Sequence, residues 1–152
     1  MKSRWAALVC ASLNFHASAT SMQTDPSLIE NRQASLREIG TAFKAINDEL
    51  KKDTPVKFIL SSSAKRIASG LQEFMTMFPP GSGPESGVKT KARKEIWSNR
   101  EEFEKLNAAS ANEAEKLSML IRSPDLGAVR EQAKVLGNSC KSCHQKFRVA
   151  DD

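Results

Sequence analysis

The residues of this chain best suited to do chemistry are two cysteines three positions apart with a histidine directly after them, Cys140-Lys141-Ser142-Cys143-His144. This is the spacing by which two thiols add to the two vinyl groups of one haem while the adjacent imidazole reaches its iron. The motif predicts one covalent haem c per chain, attached through Cys140 and Cys143, with His144 as an axial ligand of the iron.

Three other chemistries share part of the pattern. A structural zinc site wants four Cys or His ligands. A thioredoxin-like redox pair sits at the start of a helix in a strand-rich fold, where the helix N-terminus lowers a thiol pKa. A small local disulfide, or two idle thiols in a bundle that only binds partners, leaves His144 without a role.

The ligand inventory depends on processing. Lys2 and Arg4 charge the N-terminus, Trp5 to Phe15 form a mainly apolar stretch, and Ala17-Ser18-Ala19 offers a small-x-small cleavage site, so residues 1–19 read as a secretory signal and the protein as periplasmic. Cys10 follows Val9, where lipid-modified cysteines follow a small residue, and reads as filler of the signal. Cleavage removes Cys10 and His16, leaving two cysteines and one histidine for residues 20–152, too few for zinc. The apolar stretch is shorter than the roughly 20 residues needed to span a bilayer, so no membrane span is expected.

The formal charge is +5, of which Lys2 and Arg4 carry two, leaving a mildly basic +3. Basic and acidic residues are interspersed, as at Lys44, Asp48, Glu49, Lys51 and Lys52. That is the pattern of a solvated helical face and argues against nucleic-acid binding. A chain of 152 residues also excludes a large multidomain enzyme.

The motif has to be positioned by helices. Apolar residues recur at spacings of three and four through four long segments, and strand-like alternation is hardly visible. The first segment starts at Asp25-Pro26, runs to about Lys52 and carries Ile29, Leu36, Ile39, Phe43, Ile46 and Leu50 on one face. The second is predicted to start the same way at Thr54-Pro55, with Val56, Leu60, Ala64, Ile67, Leu71, Phe74 and Phe78 inward, and to stop at Pro79-Pro80-Gly81.

A Gly-, Pro- and Ser-rich loop to about Thr90 either covers something or is a plain connector. A short helix from Ala92 to Trp97 then leads into the third long segment, with Phe103, Leu106, Ser110, Leu117 and Ile121 inward. Ser123-Pro124 caps the fourth, whose stripe of Leu126, Val129, Ala133, Leu136, Cys140, Cys143 and Phe147 points both cysteines into the core. Short links favour neighbours that run antiparallel, hence an all-α, up-down four-helix bundle.

With the motif near the end of the last helix, the chain resembles the cytochrome c′ family from about Asp25 to Arg148. Arg32-Gln33-Ala34-Ser35-Leu36, Lys94-Glu95-Ile96-Trp97-Ser98 and Cys140 to Arg148 carry the resemblance. It places Leu36 over the open face of the haem, where a Met would be a sixth ligand and give an electron carrier of the c-556 kind. Leucine cannot coordinate, so the resemblance implies five-coordinate iron with His144 as its only protein ligand. Met75 and Met77 remain candidates for the sixth site.

Leu36, Phe74 and Phe78 would form an apolar distal pocket without an evident hydrogen-bond donor. Bound dioxygen gains much from such a donor, whereas nitric oxide and carbon monoxide depend on it less. The resemblance implies binding of these small gases, single-electron exchange with a redox partner protein, no enzymatic activity, and a homodimer packed through the first two helices. It also puts Arg148, Arg32 and Gln33 near the proximal side or the haem propionates. Arg148 has an alternative role as a cation compensating the helix C-terminus.

Overall fold

A computed structural model describes residues 25–150, so the expected export signal, with Cys10 and His16, lies outside the described residues. Helix α1, Pro26–Leu50, starts as its sequence predicts: the Asp25 carboxylate accepts the Ser27 N–H at 2.9 Å, and Pro26 has no N–H to leave unsatisfied. It buries Ile29, Ala42, Ile46 and Leu50, and also the charged Arg32 and Glu49.

Glu49 corrects the expected start of the next helix. Its carboxylate accepts the Val56 N–H at 2.9 Å and pairs with the Lys52 ammonium, so the acceptor that Thr54 was expected to supply comes from α1. Helix α2 therefore runs Lys57–Glu73 with Val56 as its cap, and Val56 is half exposed rather than part of the inward stripe. Leu60, Ala64, Ile67 and Leu71 are buried as expected. The helix then tightens into a 3₁₀ turn over Phe74–Met77, which leaves Phe78 just beyond it, ahead of the prolines.

The short α3, Glu95–Ser98, starts later than expected because Ala92 is engaged elsewhere. Ala92 forms an antiparallel bridge with Arg148, in which Arg93 N–H donates to Phe147 O at 3.0 Å and Val149 N–H to Lys91 O at 2.8 Å. Helix α4, Arg100–Leu120, buries Phe103, Ala114 and Leu117 with the polar Asn107 and Ser110. The last helix, α5, runs Leu126–Phe147, and its cap is Asp125 rather than Ser123-Pro124. The Asp125 carboxylate accepts the Ala128 N–H at 2.9 Å, while the Ser123 hydroxyl accepts the N–H of Asp125.

The four long helices form an up-down antiparallel bundle with no strand among the described residues. Ile46, Leu117 and Leu136 are fully buried at its centre, each stabilising the fold by about 1.5–3 kcal/mol through the area it removes from water. Packing runs from α1 to α2, α2 to α4 and α4 to α5, while α1 and α5 meet far less. Among the described residues no helix is long and apolar enough to cross a membrane.

The candidate haem site

The loosely closed seam between α1 and α5 holds a cavity of about 900 Å³. Phe43 of α1 lines one side, and Gly137, Cys140, Lys141, His144 and Arg148 line the other, with Arg93 at the rim. Gly137 is what lets the ring of Phe43 approach: a Cβ built on it would stand 3.2 Å from Phe43 Cζ. Sequence reasoning placed Phe43 in the plain core and passed over Gly137. A glycine inside a strongly periodic helix, about 1 kcal/mol worse there than alanine, was the available signal.

Cys140, Cys143 and His144 lie on one side of α5 because a helix returns to the same face after three and four residues. Both thiols are free and half-buried; Cys140 packs against the larger core cluster and Cys143 against the aromatic one. Burial, with the neighbouring Cys140, pushes the Cys143 thiol up to about 11, and burial raises Cys140 as well. An activated dithiol needs the opposite, a thiol lowered at a helix N-terminus, and this pair sits near the C-terminal end of α5. The imidazole of His144 opens to solvent; partial desolvation, then the Arg148 guanidinium, holds its pKa below the ordinary value.

Arg148 reaches that position by a route the helical spacing does not describe. It has left the helix for extended backbone at φ −121°, ψ 136°, and the bridge to Ala92 sets it beside the cavity. Its N–H still closes the last turn on His144 O at 3.0 Å.

Leu36, Phe74 and Cys143 all pack against the cluster of Phe78, Ile96, Phe103 and Phe147, as do Met75 and Met77. The rings of Phe74 and Phe78 are 5.0 Å apart, and Phe103 stands edge-on to Phe78 and Phe147. Leu36, Phe74 and Phe78, the expected distal pocket, thus share one aromatic cluster with Cys143, and none of the three lines the cavity beside His144.

Arg32 is 2 % exposed, with its guanidinium 4.6 Å above the Phe78 ring. It donates to Met77 O, to Ser82 Oγ and O, and to Thr90 Oγ1, while Gln33 donates to Lys89 O at 2.8 Å. The two residues strap the 79–90 loop onto α1. Ser82 and Thr90 are the receiving half of this strap, for which the sequence carries no signal beyond the loop's composition.

Two thiols and an imidazole on one helical face, opening on an apolar seam between two helices, are the donor set and the space a covalently held haem requires. Fold and donors together define a four-helix bundle able to hold one. A family profile described as Cytochrome C' matches residues 27–148. The chain is 29 % identical to a cytochrome c′ of Rhodospirillum rubrum, covering 93 % of this chain and 96 % of that one. It is 30 % identical to a cytochrome c-556 of Agrobacterium tumefaciens, over 80 % of this chain and 94 % of that one. The crystal structure of cytochrome c′ from Thermochromatium tepidum superposes with a TM-score of 0.76 at 26 % identity, covering 84 % of this chain and 99 % of that one. The chain belongs to the cytochrome c′ family, and with it to the haem c electron-carrying proteins.

Proposed function

We propose that this protein binds nitric oxide or carbon monoxide at a five-coordinate haem c and exchanges single electrons, without acting as an enzyme. In this reading Cys140 and Cys143 hold the haem, His144 is its one protein ligand, and residues 1–19 direct the chain to the periplasm. The haem supplies a ferric–ferrous couple and an open coordination position.

The observation that carries the reading is the fate of the donors around the aromatic cluster. Trp97 Nε1 donates to Pro79 O, Arg100 to Phe78 O and Met75 O, Arg32 to the loop, and Asn107 to Leu71 O. Every one of these donors is engaged with the protein's own acceptors. Leu36, Phe74 and Phe78 then offer a diatomic ligand only apolar surface, which excludes water and selects against ligands that need a donated hydrogen bond. On the other side, Arg148 keeps a cation beside His144.

Met75 and Met77, half-buried against the same cluster, favour a second reading as a six-coordinate carrier of the c-556 kind. The absorption spectrum of the reduced protein separates the two. A high-spin spectrum that shifts on adding nitric oxide or carbon monoxide is expected; a sharp low-spin spectrum indifferent to carbon monoxide would establish the second.

A homodimer through α1 and α2 is part of the proposal. Phe58 at the start of α2 is 77 % exposed, and small residues such as Ala34, Thr41, Ala45 and Ser63 line a shallow groove between the two helices.

A further inference from the structure

A short polar stretch, Asn107, Ser110 and Ser139, interrupts the apolar packing where α2, α4 and α5 meet. Asn107 and Ser110 are 8 % and 3 % exposed on the inward face of α4. Asn107 Nδ2 donates to Leu71 O of α2 at 3.2 Å. A carbonyl only accepts, so this bond fixes which way round the amide stands and turns Oδ1 away from Leu71 O. Among the described residues, Asn107 Oδ1 is the one buried side-chain nitrogen or oxygen with no hydrogen-bond partner in the protein. Burying such an acceptor without a donor is costly, and proteins commonly meet the cost with an internal water.

The register of α4 on α5 locates this atom in the fold. Phe103 stands edge-on to Phe147 with ring centroids 5.0 Å apart, and Ser110 Oγ lies 2.8 Å from Ser139 Oγ. Between these two pairs α4 carries Leu106 and Asn107, and α5 carries Cys143. Leu106 and Cys143 both pack against the aromatic cluster, so Asn107 belongs to the layer of the bundle that holds Cys143.

The hydroxyls supply a second acceptor. Ser110 Oγ donates its single hydrogen to Leu106 O at 3.0 Å, so the hydrogen between the two serines comes from Ser139. Ser110 Oγ thereby keeps one further lone pair. Residues three apart on a helix have Cβ atoms about 5–6 Å from one another, a gap that one water can span with two hydrogen bonds of about 2.8 Å.

We propose that a single water molecule is bound here, donating one hydrogen to Asn107 Oδ1 and the other to Ser110 Oγ. Two facing acceptors repel an anion, and the apolar residues around them would leave a cation uncompensated, so a small neutral donor is the class of molecule that fits. Haem is not the source of the donor, because its ionised propionates and its thioether links accept hydrogen bonds and donate none. Both hydrogens of the water are committed to the protein, so it adds no donor to the apolar surface of Leu36, Phe74 and Phe78. The site is therefore compatible with the gas-binding reading and does not depend on it.

The native holoprotein tests the proposal directly. Its high-resolution crystal structure should show one isolated density peak about 2.8 Å from both Asn107 Oδ1 and Ser110 Oγ. An empty position, a haem atom there, or Asn107 Oδ1 turned onto a protein donor would overturn the proposal. In Asn107→Leu the peak should be lost while the haem spectrum is kept; a peak that persists would show that Asn107 does not hold it. The denaturant midpoints of Asn107→Leu, Ser110→Ala and the double variant give an independent measure. Because both single variants break the same bridge, the double variant should shift the midpoint by less than the sum of the two, and strict additivity would overturn the shared water.

Discussion

The ring of Phe43 meets α5 at Gly137, where a Cβ would stand 3.2 Å from Phe43 Cζ. Both residues line the cavity between α1 and α5 that is the candidate haem site. Gly137→Ala gains helix propensity of up to about 1 kcal/mol, against a displacement of the half-buried ring by a few tenths of an ångström, and should leave stability within about 1 kcal/mol of the native protein. Gly137→Leu should fill the cavity instead. The expected outcome is a normal helical circular dichroism signal with a reduced haem absorbance per protein; full haem loading would show that haem does not occupy this seam.

The proposed function requires Leu36 and His144 to face the haem from opposite sides. Leu36→Met should introduce a sixth ligand and convert the reduced spectrum towards low spin. An unaltered high-spin spectrum would place Leu36 away from the iron. His144→Ala should keep the haem attached after denaturation, since Cys140 and Cys143 are untouched, but should change the iron's coordination.

Arg32 stakes the 79–90 loop to α1 through the Met77, Ser82 and Thr90 acceptors. Removing a buried partner leaves those acceptors unsatisfied, at about 1–3 kcal/mol for each group stranded. Arg32→Ala should lower the denaturant midpoint and make the loop the first site of limited proteolysis. Arg32→Lys should recover little, because an ammonium cannot reproduce the forked pattern of a guanidinium. A midpoint unchanged in Arg32→Ala would refute this role.

Glu49 makes stability depend on acid pH. Its hydrogen bonds from Lys52 and the Val56 N–H hold the carboxyl below its ordinary 4.5. A carboxyl whose folded pKa is depressed contributes stability that is present above the unfolded pKa and is lost as pH falls through the folded one. Glu49→Gln should therefore be less stable than the native protein at pH 7. The gap should close on acidification below about pH 4.5, and a gap independent of pH would locate the effect in packing instead.

Sequence periodicity located the long helices because their burial is one-sided: Leu60, Ala64, Ile67 and Leu71, or Val129, Ala133 and Leu136, recur at helical spacing and are all buried. The Asp25 cap was legible because an Asp-Pro pair acts on the turn beside it. The start of α2 and the cap of α5 were not. Thr54 and Ser123 are as competent as caps in isolation, and the contacts that decide between candidates come from Glu49, seven residues before Val56, and from Asp125.

By itself the sequence determined the all-helical bundle, the two-thiol, one-imidazole donor set and its placement on one face of the last helix, because these depend on residue type and spacing along a single segment. Only the tertiary structure decided how the site is enclosed and approached. The strap held by Arg32 and Gln33, the Phe43–Gly137 contact and the bridge that brings Arg93 and Arg148 to the cavity beside His144 join residues about forty-five to ninety-five positions apart. No local pattern encodes such pairings, since their energy exists only once the helices have packed.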